Sequence, residues 1–310
     1  MKVLMTGSHG FVGTNLIEAL SEGHEIIQWD VRSDEELPDC DAVIHLAGKA
    51  HDTSTFLRPS GSKRAELERD RLRNQQIDEY YEVNTELTKK IFDAFLRSEA
   101  KKFIFFSSIK AKDNDTPYAK SKKAAEDYIE DVRSKGEDVN PSTGSGTAKR
   151  VYILRPCMIH GKGVKGNLPL LFKFVKKGWP WPLAAFENQR SYASMGNVSY
   201  VVSELLNKDV ESGIYNLCDD EPLSTNELIR LMSESLGRET KMLRVPKGLV
   251  ELGTKVGDIL HLPLNTERLG KLTGDYIVDN SEIKRVLGIC TMPIQTKEGL
   301  EATIRGMITT

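Results

Sequence analysis

The sequence predicts an α/β protein, with a doubly wound parallel sheet followed by a smaller mixed α/β C-terminal lobe. Three observations predict it. Short, almost purely apolar runs alternate with longer amphipathic stretches through the first half of the chain, the pattern of β-α-β units covered on both faces. A glycine-rich turn separates the first apolar run from the first amphipathic stretch. From about Gly161 the texture changes, with Gly178-Trp179-Pro180-Trp181-Pro182 breaking the alternation.

Taken in order, Lys2–Thr6 reads as a strand and Phe11–Ser21 as a helix whose Phe11, Leu16, Ile17 and Leu20 share a face. Further strands are expected at His24–Trp29, Ala42–Leu46 and Lys102–Phe106. Val83–Ser98 has helical spacing through Leu87, Ile91, Phe92 and Phe95. A helix from Pro117 to about Arg133 leads to a strand at Arg150–Leu154. Arg58–Tyr80 is dense in both charges and reads as a solvated helix or loop, and Lys135–Ala148 as a flexible loop. The expected division is a first domain over residues 1–160, with a return segment about 194–217, and a lobe over residues 161–310.

Composition narrows the function classes. The 310 residues carry 43 Lys plus Arg against 45 Asp plus Glu, so no general basic field draws nucleic acid or an acidic membrane. Apolar runs such as Phe103–Phe106 are far below the ~18 residues of a membrane span. The N-terminus enters a strand directly, which does not fit a secretory leader. Cys40, Cys157, Cys218 and Cys290 are scattered, so neither a zinc site nor a disulfide framework is indicated. His45, His51 and His160 are too dispersed for a metal. A cytoplasmic protein is expected.

Thr6-Gly7-Ser8-His9-Gly10-Phe11-Val12-Gly13 follows a strand and opens a helix. There Gly7 turns tightly, Gly10 permits close approach, and Gly13 lets helix and strand pack, so backbone N–H groups can face a pyrophosphate at the helix's positive end. Asp30 ends the second strand 23 residues after Gly7. A carboxylate there accepts from ribose hydroxyls and repels a 2′-phosphate, which favours NAD; NADP, partnered by Arg32, is the alternative.

Thr116 can cap a helix whose first residue is Pro117. Tyr118 and Lys122 then lie one turn apart on one face. An ammonium near the phenol, with a positive nicotinamide ring, favours the phenolate and suits Tyr118 to general acid–base work. Ser107-Ser108 closes the apolar strand at its carboxyl end, where open α/β sheets bind ligands.

Together, Gly7-x-x-Gly10-x-x-Gly13, Asp30, His45-Leu46-Ala47-Gly48, Asn84, Ser107-Ser108 and Tyr118-x-x-x-Lys122 resemble the extended short-chain dehydrogenase/reductase family. The likeness is greatest to its nucleotide-sugar epimerases, dehydratases and 4-ketoreductases, and it continues in order through Leu154-Arg155-Pro156, Gly161–Leu168, Arg190-Ser191-Tyr192, Gly213–Leu217 and Leu287-Gly288. The resemblance implies a Rossmann-type fold with the sugar nucleotide between the two parts. It implies Ser108, Tyr118 and Lys122 as catalytic residues. Cofactor contacts fall to Gly7, Gly10, Phe11, Val12, Gly13, Asp30, Leu46, Ala47, Gly48, Asn84, Tyr118 and Lys122. Ser108, Asn167, Arg190 and Arg268 fall on the substrate side, with Asn167 and Arg190 at the diphosphate.

Three departures matter. Only eleven residues separate Asp30 from Asp41, so the usual helix and strand between them are curtailed. Ser108 and Tyr118 are ten apart, which requires a short connection. Ser108-Ile109-Lys110 lacks the acidic residue that 4,6-dehydration needs. The implied activity is therefore NAD-dependent 4-epimerisation of a UDP-linked sugar. A 4-keto-6-deoxysugar reductase is the alternative, and a non-catalytic NAD(P)-sensing protein is a more distant one. A homodimer is compatible with this reading. Trp179 and Trp181 suit either ring stacking on a ligand or core packing.

Overall fold

The computed structural model describes residues 1–30, 36–49, 63–136, 149–260 and 265–309. The chain divides into two compact units, Met1–Pro156 with Val202–Tyr215, and Cys157–Val201 with Asn216–Thr310.

In the first unit, β1 (Lys2–Thr6) leads through a glycine turn into α1 (Phe11–Leu20), then β2 (Glu25–Trp29) and β3 (Ala42–His45). α2 (Lys63–Tyr81), a π-helical turn (Glu82–Glu86) and α3 (Leu87–Arg97) precede β4 (Lys102–Phe106). The short α4 (Lys110–Asp113) and long α5 (Pro117–Ser134) follow, then β5 (Arg150–Pro156). The strand order is β2-β1-β3-β4-β5-β8, where β8 is Gly213–Leu217. The pairs β1–β2, β1–β3, β3–β4 and β4–β5 are parallel. Every residue of β3 and β4 is buried, and all but His45 and Lys102 are apolar, as strands between two helical layers require. β2 is half-exposed and stands at one end of the strand order among the described residues.

The core on one face joins Phe92 and Phe95 of α3 to Phe103 and Phe105 of β4 and Ile129 of α5, with Phe92 and Phe103 edge to face at 5.1 Å. Helix ends are tied down by two lysines, of which Lys102 is buried. Lys149 donates to the carbonyls of Phe95, Ser98 and Ala100 beyond the end of α3. Lys102 does the same for Leu205, Leu206 and Lys208 at the end of α7 (Met195–Asn207). An ammonium there meets the negative pole of the helix.

The second unit pairs β6 (Met158–His160) with β7 (Tyr192–Ser194) in parallel and packs α6 (Asn167–Lys176), α8 (Thr225–Ser235), α9 (Lys247–Leu260), α10 (Thr266–Thr273), α11 (Ser281–Leu287) and α12 (Thr296–Ile308). Its core joins Leu168, Phe172, Trp181, Ile229, Met232 and Leu300. A capping box starts α8, where the Ser224 hydroxyl accepts from the Glu227 amide and Glu227 accepts from the Ser224 amide. Trp181 is buried, donates to Asn226 Oδ1 at 2.8 Å and sets its ring against Phe174, so core packing is its role.

The charge-dense segment expected as a helix or loop is helical from Lys63, while residues 58–62 lie outside the described residues. Arg32, His51 and residues 137–148 also lie outside them. Among the described residues no helix is long and apolar enough to cross a membrane, and no cluster of His, Cys, Asp and Glu forms a metal site.

Candidate active site

At the carboxyl end of β1 three glycines form a close-fitting cradle. Gly7 has φ +68°, and a Cβ on it would stand 2.6 Å from the Ala47 nitrogen. A Cβ on Gly13 would stand 2.6 Å from the carbonyl oxygens of both Gly7 and Ser8. Gly10 N donates to Gly7 O at 3.0 Å, and Gly10 is the residue from which α1 starts. Among the described residues no side chain caps α1, and its first turn holds no carboxylate to compete for the N–H groups around Phe11 and Val12. This cradle fits a pyrophosphate. β1 and β2 pair through Thr6 and Trp29, so Gly7 and Asp30 leave adjacent strands at the same level, with Asp30 exposed.

β3 ends at His45, and the chain continues through Leu46, Ala47 and Gly48 past the cradle. The buried His45 ring bridges Thr6 Oγ1 at 2.7 Å and Thr88 Oγ1 at 2.9 Å. Thr88 donates its own proton to the Asn84 carbonyl, so Nε2 of His45 carries hydrogen and Nδ1 accepts from Thr6. Burial, with a smaller contribution from the Lys122 charge, drives His45 down to about 3 and keeps it neutral.

Asn84 sits on the π-helical turn, buried with Thr85. Its amide accepts from Lys49 N at 2.8 Å and donates to Lys49 O at 3.1 Å and Ser121 Oγ at 3.0 Å. Thr85 donates to the Ser121 carbonyl. The extra residue of the π turn thus ties the loop after β3 to α5, one turn of which carries Lys122. Gly48 closes this junction, since a Cβ there would lie 2.9 Å from Asn84 Oδ1 and 3.0 Å from Lys122 Nζ.

Thr116 caps α5 by accepting from Ala119 N at 3.1 Å, with Pro117 in the first turn. Tyr118 and Lys122 therefore share the face toward the end of β4. Lys122 is buried, donates to Phe106 O at 2.9 Å and lies 4.9 Å from the Phe105 ring centre. Burial lowers Lys122 to about 8, opposed by the Glu126 charge. Tyr118 hydrogen-bonds Ser108 and meets Tyr80 edge-on at 6.1 Å. The balance at the phenol differs from the sequence expectation. Burial raises the Tyr118 pKa, and the group opposing it is the Ser108 hydroxyl rather than Lys122, whose ammonium faces the Phe106 carbonyl.

Asn167 and Arg190 belong to the second unit. Asn167 is the first residue of α6, after Gly166 at φ +89°. Arg190 Nη1 donates to Lys271 O at 2.8 Å and Gly274 O at 3.1 Å, which caps the end of α10. Arg268 lies on α10, its side chain outside the described residues. His160 is buried against Thr303 at 2.9 Å and is a core residue.

Sequence reasoning missed one buried group. Glu126, a further turn along α5 from Lys122, accepts from Ser107 Oγ at 2.5 Å and from Arg155 through both oxygens, at 2.9 and 2.5 Å. The recurrence of Tyr118, Lys122 and Glu126 every four residues was the available signal.

A family model of the NAD dependent epimerase/dehydratase family matches residues 3–218. The chain is 29% identical to a UDP-glucose 4-epimerase of Vibrio cholerae, over 99% of this chain and 95% of that one. It is 27% identical to an N-acetyl-alpha-D-glucosaminyl-diphospho-ditrans,octacis-undecaprenol 4-epimerase of Escherichia coli O157:H7, over 91% of this chain and 84% of that one. A crystal structure of UDP-glucuronic acid 4-epimerase from Bacillus cereus in complex with NAD shares the fold at a TM-score of 0.69 and 17% identity, covering 100% of this chain and 99% of that one. With a family model spanning the glycine cradle, the Asn84 turn and the Tyr118–Lys122 helix, the chain belongs to the NAD-dependent epimerase/dehydratase family of enzymes.

Proposed function

We propose that the protein is a nucleotide-sugar 4-epimerase that holds NAD and inverts C4 of a UDP-linked sugar. The observation that carries this reading is the grouping of Ser108, Tyr118 and Lys122 where β4 ends, in the same unit as a glycine cradle fitted to a pyrophosphate. The relative from Vibrio cholerae and the structural neighbour from Bacillus cereus are both 4-epimerases of UDP-sugars, which supports the position of the chemistry and the nucleotide. Gly7, Gly10 and Gly13 with the N–H groups of Phe11 and Val12 would hold the pyrophosphate, and Asp30 the adenosine ribose. Leu46, Ala47, Gly48 and Asn84 would line the nicotinamide side.

Bound NAD supplies a reversible hydride acceptor and a positive ring that favours the phenolate. Tyr118 accepts the proton of the sugar's C4 hydroxyl and returns it after the C4 carbonyl has been presented by its other face. Ser108 donates to the same oxygen and opposes the effect of burial on the phenol. Lys122 has three N–H donors and among the described residues commits one to Phe106 O, so the other two would serve ribose hydroxyls. Asn167 and Arg190 would take the diphosphate, since among the described residues Arg190 commits only Nη1 to carbonyls.

Proton NMR of UDP-glucose and UDP-N-acetylglucosamine incubated with the protein and NAD tests the reading. It predicts the C4 epimer of at least one sugar with no net NADH. Consumption of reduced cofactor by 4-keto sugars alone would replace epimerase with reductase.

A further inference from the structure

We propose that Glu126 is a positioning residue for this site, holding the end of β4 to α5 through Ser107 so that Phe106 and Ser108 meet Lys122 and Tyr118. The inference rests on the reading of Tyr118 and Lys122 as the reacting pair. Three consecutive residues at the strand end each contact one of three residues spaced one turn apart on the helix. Phe106 O accepts from Lys122 Nζ at 2.9 Å, Ser107 Oγ donates to Glu126 Oε1 at 2.5 Å, and the Ser108 hydroxyl meets the Tyr118 phenol. Ser107 is the middle member, so its link to Glu126 fixes both neighbours at once.

Glu126 is only 1% exposed, and its charge is matched by Arg155 on β5, the next strand in the sheet. A buried ion pair is a weak source of net stability compared with apolar packing of the same volume. Its use here is geometric. Arg155 grips both carboxylate oxygens in a planar fork, which leaves the Ser107 hydroxyl one direction in which to donate. Strand and helix thereby meet in one register.

The same carboxylate acts on the charge of Lys122. The ionisable groups that interact with that ammonium are Glu126 from α5 and the neutral His45 from β3, while Arg155 from β5 faces Glu126. Glu126 is the group that raises the Lys122 pKa against its burial. Removing its charge would let Lys122 lose its proton nearer neutrality.

Two variants and two readouts test this in the full chain. Ser107→Ala leaves the Glu126–Arg155 pair intact and removes only the link, and Ser107→Thr keeps the hydroxyl. The proposal predicts that Ser107→Ala lowers kcat at least tenfold with KM for the UDP-sugar nearly unchanged, and that Ser107→Thr recovers most of the loss. The second readout needs no activity. NMR titration of Cε-labelled lysine follows Lys122, and Glu126→Gln should lower its midpoint by half a pH unit or more. If Glu126→Gln unfolds, the paired change Glu126→Gln with Arg155→Gln carries the same expectation. An unmoved Lys122 midpoint in a folded variant, or wild-type kcat in Ser107→Ala, overturns the positioning role. An inactive wild type in which the midpoint still moves would overturn the epimerase reading and leave the clamp standing.

Discussion

Gly7 and Ala47 meet so closely that a methyl group on Gly7 would stand 2.6 Å from the Ala47 amide nitrogen. This contact closes the phosphate loop against the chain leaving β3, and Gly7 also needs a left-handed backbone at φ +68°. Gly7→Ala should therefore lower the melting temperature by several degrees and abolish NAD binding, since strain and collision act together. Gly23, where an added methyl would have nothing within 4 Å, is the control. Gly23→Ala should stay within about 0.5 kcal/mol of wild type. Thermal melts with NAD titration of both variants make the comparison.

The ribose role proposed for Asp30 rests on the level at which it leaves β2 beside Gly7. NAD should bind more tightly than NADP, because a carboxylate repels a 2′-phosphate. Asp30→Ala should narrow the gap. Calorimetry with both cofactors reads it, and a wild-type preference for NADP would count against this assignment.

His45 makes stability depend on pH in a definite window. Its pKa is about 3 in the fold and near 6.5 in the unfolded chain, so between these values the unfolded state binds the extra proton. Its contribution is fully present above pH 6.5 and is lost as pH falls toward 3, at about 1.4 kcal/mol per pH unit within the window. His45→Gln should fold less stably at pH 7 but lose less on acidification. Urea unfolding at pH 7 and pH 5 for both proteins measures the difference in slope.

Arg190 holds the carbonyls of Lys271 and Gly274 with one nitrogen. Arg190→Ala should lower the melting temperature by releasing the end of α10. It should also raise the Kd for UDP at least tenfold, about 1.4 kcal/mol, if the remaining N–H groups face a diphosphate. Lost stability with unchanged UDP affinity would confine Arg190 to the helix end.

The strands of the first unit were legible because strands buried on both faces must be apolar throughout, as Phe103–Phe106 is. The start of α5 was legible in Thr116-Pro117, since capping is local chemistry. The π turn was not. One extra residue at Glu82–Glu86 leaves the following Leu87, Ile91 and Phe95 pattern unchanged, so the segment read as one helix. The Glu126 cluster was half legible. Its place on the Tyr118–Lys122 face follows from spacing, but Ser107 and Arg155 arrive from two strands and need the sheet order to be known. Arg190 was given a diphosphate role by resemblance, and its hold on two carbonyls was not legible because those partners lie more than 80 residues away.

Tyr118 is the residue proposed to move the C4 proton, and Tyr118→Phe removes only the hydroxyl that would carry it. Loss of one hydroxyl leaves the ring free to keep its edge contact with Tyr80, so the fold and NAD affinity should be nearly unchanged. The measurement is kcat for C4 inversion of the UDP-sugar that wild type turns over, read by proton NMR beside an NAD titration of each protein. The expected kcat is lower by roughly a hundredfold or more, with NAD affinity within about twofold. Near wild-type kcat in a Tyr118→Phe protein that binds NAD normally would contradict it.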